Sequence, residues 1–142
     1  MDTLEMNAKS NDANDSQNRK LQKNESVKSA KEIVMEYFRA AERRDFKLAR
    51  SYLSDNISYT GPLNSFDGAE PYFKYFQSLK LPPLDIKKAF ADGNDLCLLY
   101  ELHYGEPPMT IFACGWFQVN DDGKISSIRV VFDPRPFVQP GR

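Results

Sequence analysis

The chain has 142 residues, which suits one domain, and 41% of them are hydrophobic, enough for a buried core. Nineteen Lys and Arg against 20 Asp and Glu leave a formal charge of −1, so no basic surplus exists to bind a nucleic-acid backbone. A single His without CxxC or HExxH spacing predicts no metal site, and no apolar run approaches a membrane span or leader. We expect a cytoplasmic protein with no metal, no cofactor, and neither nucleic acid nor membrane as a partner.

The first 25 residues are polar and contain no aromatic side chain. Such a segment buries too little apolar surface to offset the entropy lost on ordering. We therefore predict a disordered tail over residues 1–25 and a folded domain over residues 26–142.

Three helices and one short strand are predicted in the first half of the domain. From Ser26, apolar residues recur every three or four positions, which predicts a helix with Asn24 or Ser26 as its cap. Asp45 is placed to cap a short second helix, and residues 57–60 alternate like a strand. A third helix opens at residues 67–68 and carries an aromatic stripe.

The second half of the domain is predicted as a sheet. Turn sequences at residues 92–95 and 121–123 are of the kind that join antiparallel neighbours. They separate four strands, at roughly 84–91, 95–104, 109–120 and 124–133. Helices followed by a long meander predict an α+β domain: a curved, mainly antiparallel sheet packed on three N-terminal helices.

Three motifs, taken in order and spacing, resemble the nuclear transport factor 2-like, or SnoaL-like, superfamily. They are residues 55–59 (DNISY), residues 66–70 (FDGAE) and the C-terminal hairpin, GWFQVNDDGKISSIRVVFDPRPF. The resemblance covers about residues 28–137 and implies a cystatin-like cone that encloses a hydrophobic pocket. The hairpin is particularly similar to the end of limonene-1,2-epoxide hydrolases.

The catalytic residues of those hydrolases do not carry over. Tyr59 matches the tyrosine that, together with an asparagine, holds the water molecule in those hydrolases, but Gly61 stands at the position of the asparagine. Glu101 and His103 fall on their Arg-x-Asp pair, and Val130 falls on the carboxylate base. Because valine cannot accept a proton, the resemblance disfavours epoxide hydrolysis.

Steroid isomerases and polyketide cyclases of the superfamily imply another use of these positions. His103 would accept a proton beside a carbonyl, Glu101 would orient it, and Tyr59 would donate to the developing oxyanion. The same alignment predicts the apolar residues that contact the ligand, namely Phe76, Ile111, Ala113, Phe117, Ile128, Val130 and Phe132.

Period-two alternation on strand 95–104 disagrees with that orientation. The more apolar face carries Leu96, Leu98, Tyr100, Leu102 and Tyr104, and burying it would leave Glu101 and His103 in solvent. A second copy of the chain on the outer sheet face, around Trp116, would allow both faces to be apolar. We therefore predict a homodimer through the outer face.

Two further features give local predictions. Cys97 and Cys114 lie in apolar runs and are predicted to be small buried side chains. The proline-rich exit predicts that Phe137 plugs the base of the core, with a lid over the pocket as the alternative.

The predicted function is binding of a small, mostly apolar molecule, with isomerase or cyclase chemistry if the site is catalytic. The alternative is a non-catalytic domain of the same fold that contacts another protein or senses a ligand. A deep cavity that receives Glu101 and His103 would favour the first, and a filled interior with an exposed apolar patch would favour the second.

Overall fold

Six strands and four helices make up residues 28–138, the part of the chain that the computed structural model describes. The helices are α1 (Ala30–Glu42), α2 (Phe46–Ser51), α3 (Ala69–Leu79) and α4 (Arg135–Val138). The strands are β1 (Leu53–Thr60), β2 (Ser65–Asp67), β3 (Asp85–Asp92), β4 (Asp95–Gly105), β5 (Pro108–Val119) and β6 (Ile125–Phe132). The predicted tail over residues 1–25 lies outside the described residues.

Helix α1 begins with a capping box at Ser29. The Ser29 hydroxyl accepts from the Glu32 amide at 3.1 Å, and the Glu32 carboxylate accepts from the Ser29 amide at 2.9 Å. This reciprocal pair satisfies two amides that the first turn leaves without helical partners. The cap is therefore Ser29, whereas periodicity alone suggested Asn24 or Ser26.

The other two N-terminal helices start at the predicted residues. The Asp45 carboxylate caps α2 by accepting from the Leu48 amide at 3.2 Å. Gly68, with a φ of 104° that favours glycine, precedes α3. Arg50 of α2 links the start of β1 to the start of α3, because its guanidinium donates hydrogen bonds to the carboxylates of Asp55 and Glu70.

The six strands form one sheet in the order β2-β1-β6-β5-β4-β3. Every neighbouring pair is antiparallel except β1 with β6, so the predicted α+β fold with a mainly antiparallel sheet is confirmed. The last four strands match their predicted ranges to within one residue at each end.

Two strand features were not predicted. Strand β1 begins at Leu53 rather than at residue 57, and no strand was predicted at the position of β2. Parallel pairing with β6, which aligns Leu53 with Ile125, provides hydrogen-bond partners that local alternation does not reveal. A register shift between Leu53 and Ser58 also breaks the alternation there.

The inner face of the sheet packs against α1 and α3. On β4 this face carries Leu96, Leu98, Tyr100 and Leu102, all buried. The orientation that the resemblance gave to Glu101 and His103 is therefore wrong, and the period-two argument was right. Burying four large apolar side chains is much more favourable than burying an acid and an imidazole.

The outer face of the sheet has large apolar side chains in solvent. Phe90, Phe112, Trp116 and Val131, one from each of β3 and β6 and two from β5, are between 42% and 69% exposed. Within residues 28–138, no helix has the length and apolar character that crossing a membrane requires.

Candidate functional site

An apolar cavity of about 130 Å³ lies between the inner face of the sheet and helices α1 and α3. Eighteen described residues line it. Thirteen are aliphatic or phenylalanine residues, and five are tyrosines, namely Tyr59, Tyr72, Tyr75, Tyr100 and Tyr104. The site is therefore an apolar space whose lining side chains carry no polar group other than the tyrosine hydroxyls.

All the apolar residues predicted to contact a ligand lie on this cavity. They are Phe76 of α3, Ile111, Ala113 and Phe117 of β5, and Ile128, Val130 and Phe132 of β6. Cross-strand register explains the grouping, because Phe117 pairs with Ile128 and Ala113 pairs with Phe132 on the same face. Tyr59 of β1 also lines the cavity and is 8% exposed.

Sequence reasoning missed most of the tyrosines. Tyr100 and Tyr104 alternate with Leu102 on the apolar face of β4, so the signal was present in the same period-two pattern. Tyr75 follows Tyr72 by three residues on α3, which places both on one side of that helix.

The tyrosine hydroxyls are neutral hydrogen-bonding groups at ordinary pH. Burial is the main cause that raises the pKa of Tyr59, Tyr72 and Tyr100 well above that of a free phenol. The Tyr72 hydroxyl also lies 3.2 Å from the Tyr37 hydroxyl, and its ring stacks on Tyr59 at 4.9 Å between centroids. These groups can bind an oxygen atom but do not act as bases near neutrality.

The rim of the cavity is formed in part by exposed side chains. Leu63 and Leu79 are each 38% exposed, and Phe137 is 43% exposed. The Phe137 ring stands edge-on to Phe132 at 5.7 Å and to Tyr104 at 6.2 Å between centroids. The prediction that Phe137 plugs the base of the core is therefore wrong, because α4 turns its ring back onto the rim.

Glu101 and His103 lie on the opposite side of the sheet from the cavity. The His103 side chain is 51% exposed, and its Nε2 lies 2.9 Å from Asp85 Oδ2 and 3.6 Å from Glu101 Oε1. Its Nδ1 lies 3.1 Å from Thr110 Oγ1. Glu101 and His103, which were predicted as a catalytic pair, do lie close to each other, but on the outer face of the sheet.

Asp85, Glu101 and His103 are also the residues best placed to hold a cation among those described, because their ligand atoms all lie within 4.8 Å of one another. The Lys87 ammonium already lies 3.1 Å from Asp85 Oδ2 and 3.8 Å from Glu101 Oε1. Hydrogen bonds from His103 and then Lys87 lower the pKa of Asp85. The cluster is thus an ion-paired surface network whose acids already have cationic partners.

Comparison with known families agrees with this architecture. The SnoaL-like domain model matches residues 34–128, which run from α1 into β6. The chain belongs to the SnoaL-like domain family. No curated protein matches this SnoaL-like chain.

Several solved structures share the SnoaL-like fold. An NTF2-like protein of unknown function from Cytophaga hutchinsonii is 30% identical with a TM-score of 0.71, covering 80% of this chain and 99% of that chain. An LEH-like epoxide hydrolase from M. tuberculosis is 23% identical with a TM-score of 0.63, covering 73% and 82%. A proposed ketosteroid isomerase from Kribbella flavida is 17% identical with a TM-score of 0.63, covering 73% and 77%. The last two likenesses show the fold alone.

Gly61 shapes the cavity of this SnoaL-like domain at the end of β1. A Cβ atom built on Gly61 would lie 2.5 Å from the Tyr59 hydroxyl oxygen and 3.1 Å from its ring carbon Cζ. Position 61, where the resemblance implies an asparagine, therefore holds a residue small enough for the Tyr59 hydroxyl to occupy that space.

A second, wider cleft of about 320 Å³ lies beside the cavity of the SnoaL-like domain, bordered by α1, α3 and the residues before β3. Charged side chains line part of it, including Arg39, Glu42 and Lys80. Phe38 and Phe76 line both spaces, with ring centroids 6.2 Å apart, and form part of the wall between them.

Proposed function

We propose that this SnoaL-like domain binds a small, mostly apolar molecule that carries one hydrogen-bonding oxygen. The observation that carries the proposal is the cavity itself, an apolar space with five tyrosines and no charged group in its described lining. Ligand sites of this kind combine apolar walls with a few polar groups that fix orientation. The tyrosine hydroxyls supply those polar groups.

The cavity volume limits the size of the ligand. Drug-sized ligands occupy pockets of roughly 300–1,000 Å³, whereas an engineered cavity of about 150 Å³ binds benzene. At about 130 Å³, this space suits a molecule of one ring. A phenol or a cyclic ketone would place its oxygen against a tyrosine and its ring against the Phe and Leu side chains.

Binding is better supported than proton abstraction. Across the described lining there is no carboxylate, imidazole or amine, and Val130 occupies the position that aligns with the hydrolase base. The activities named for the epoxide hydrolase and the isomerase therefore find no base in this cavity. A ligand-sensing role, one of the alternatives raised by the sequence, accounts for a cavity without a proton acceptor.

The proposal is tested with phenol and benzene as matched probes in isothermal titration calorimetry. We expect both to bind the wild-type protein and phenol to bind about five-fold more tightly, since one hydrogen bond contributes about 1 kcal/mol. Tyr59→Phe should reduce that preference while leaving benzene binding unchanged. Two control variants test where the probes bind. Ala113→Leu should fill the cavity and abolish binding of both probes, whereas His103→Ala on the outer face should leave the affinity for both unchanged.

Two outcomes would contradict the proposal. One is that neither probe binds the wild-type protein. The other is that probe binding survives Ala113→Leu in a variant that circular dichroism shows to be folded, since the ligand would then lie outside the cavity.

A second role is favoured by the exposed apolar side chains of the outer face, Phe90, Phe112, Trp116 and Val131. Monomeric proteins rarely expose large contiguous apolar patches, and such patches commonly mark contacts with other proteins. We propose that a second copy of the chain covers this face. A homodimer of this kind leaves the cavity, on the other side of the sheet, free for a ligand.

A further inference from the structure

The outer face also brings the only two cysteines of the chain together. Cys97 of β4 and Cys114 of β5 are free thiols whose Sγ atoms lie 3.5 Å apart, and both are half-buried. The prediction that they are buried apolar side chains is therefore wrong, because the face that carries them is the outer one. Neither thiol belongs to the cavity.

The register of β4 and β5 makes the two cysteines a diagonal pair. Cys97 lies opposite Trp116, and Cys114 lies opposite Leu99, so the thiols approach across the ladder rather than directly. A disulfide needs a sulfur separation of about 2.0 Å, and the thiols must close by about 1.5 Å. Diagonal neighbours on antiparallel strands are about 7–8 Å apart, so closing the bond requires the strands to shift as well as the side chains to rotate.

We propose that Cys97 and Cys114 are a modification site that forms a reversible intramolecular disulfide by exchange with a low-molecular-weight disulfide. The reagent is a symmetric molecule of the glutathione disulfide type. The diagonal placement favours reversibility, since a bond that draws the strands out of their relaxed spacing is easier to reduce than an unstrained one.

The reaction proceeds in two balanced steps. The thiolate of one cysteine attacks a sulfur of the small disulfide, which forms a mixed disulfide with the protein and releases one small thiol. The second cysteine then attacks the protein sulfur of that mixed disulfide, which closes the Cys97–Cys114 bond and releases the second small thiol. The protein loses two electrons and two protons, and the small disulfide gains both.

Closing the bond would join β4 to β5 near the centre of the exposed apolar face. Val131 lies opposite Cys114, and Phe90 lies opposite Cys97, so the cross-link sits within the patch. The oxidised and reduced proteins would therefore present different surfaces to a partner. This inference does not depend on any ligand in the cavity.

The experiment incubates the full chain with glutathione disulfide, quenches with acid and measures intact mass and free thiols. We expect the thiol count of the wild-type protein to fall from two to none, with the loss of two hydrogen masses and no adduct. Cys97→Ser and Cys114→Ser should each stop at a single glutathione adduct, because the second step lacks its thiol. Added dithiothreitol should restore both thiols.

Because a second copy on the outer face would shield the thiols, the same assay is run on Phe112→Lys, and loss of both thiols without an adduct in either protein supports the proposal. This substitution adds a charge to the face and leaves the residues directly opposite both cysteines unchanged. Wild-type protein or Phe112→Lys with two glutathione adducts would overturn the proposal. So would two unreacted thiols in both proteins, or a disulfide between two chains.

Discussion

At the scale of single residues, the cavity depends on a close approach between Tyr59 and Gly61. A side chain at position 61 would compete with the Tyr59 hydroxyl for the same space. The backbone φ of Gly61 is not positive, so an alanine there meets a steric obstacle from Tyr59 and no backbone strain. The effect of a substitution can therefore be attributed to the tyrosine.

Gly61→Ala should displace the Tyr59 hydroxyl from its place on the cavity. We expect phenol binding to weaken about five-fold, as for Tyr59→Phe, while benzene binding changes little, since the apolar walls remain. Calorimetric titration with both probes measures this difference.

Gly105→Ala is the matched control, because a Cβ at Gly105 meets no atom within 4 Å. If Gly61→Ala and Gly105→Ala bind phenol equally well, the Tyr59 hydroxyl does not orient the ligand.

The residue scale also shows where sequence reasoning succeeded and where it failed. The alignment with the family placed Phe117 and Ile128 on the cavity, and the structure pairs these two residues across the ladder on the inner face. Glu101 and His103 were misplaced because the resemblance assigned them to the inner face of β4, whereas side chains alternate along a strand and theirs lie on the outer face. The apolar periodicity of β4 contained the correct answer.

At the scale of elements, the outer faces of β3 to β6 form a surface that is apolar in its centre and charged near its ends. Trp116 is the largest side chain of that centre, and its indole N–H donates to Asp95 Oδ1 at 3.0 Å. Tryptophan is among the residues that contribute most to protein interfaces. It is therefore the side chain to change when a homodimer is tested.

Trp116→Glu should convert the protein to a monomer. We expect a loss of at least about 2 kcal/mol of association free energy, roughly a thirty-fold increase in the dimer dissociation constant, because a carboxylate would be buried where an indole packed. Light scattering over a dilution series measures the dissociation constant.

Gln77→Glu serves as the control, since it introduces the same charge at an exposed position of α3. Two results would contradict the proposal that a second copy covers the outer face. One is a wild-type protein that is monomeric at every concentration, and the other is a Trp116→Glu variant that associates as tightly as the wild type.

Strands β3 to β6 were predicted more accurately than strands β1 and β2. Strands β3 to β6 follow one another as hairpins, so local alternation and turn residues located their ends. Strand β1 pairs with β6 across more than sixty intervening residues. A pairing of that range leaves no local signal, which explains why the start of β1 was missed. Strand β2 pairs locally with β1 but has only three residues, too few to show an alternating pattern.

At the scale of the whole molecule, the interior contains four buried tyrosines, namely Tyr37, Tyr59, Tyr72 and Tyr100. Burial is the main cause that raises the pKa of Tyr37, Tyr59, Tyr72 and Tyr100 above the ordinary value. Above about pH 10 the unfolded chain releases these protons, whereas the folded chain keeps them. The stability that these protonated tyrosines contribute is therefore fully present below about pH 10 and is lost as the pH rises above it.

The free energy of unfolding should consequently fall steeply in alkali. Each tyrosine that stays protonated only in the folded state lowers the free energy of unfolding by about 1.4 kcal/mol for each pH unit above pH 10. Tyr100→Phe should make the decline shallower by that amount, which urea unfolding at a series of alkaline pH values measures.

Tyr52 provides the comparison, because it lies closer to the surface and hydrogen-bonds Glu36 at 2.6 Å. Tyr52→Phe should change the slope less than Tyr100→Phe does. Equal slopes for the wild type and Tyr100→Phe would mean that Tyr100 ionises as readily in the folded protein as in the unfolded chain.

The position of β6 between β1 and β5 has a consequence for the order of events during synthesis. Strand β6 is the last strand in the described part of the chain, and the β1–β2 pair joins the sheet only through it. Ribosomes add roughly 5–20 residues each second, so β1 emerges several seconds before its parallel neighbour β6 has been synthesised. The growing chain can form α1, α2 and the β3–β5 meander, but the halves of the sheet join only after residue 132 has left the ribosome.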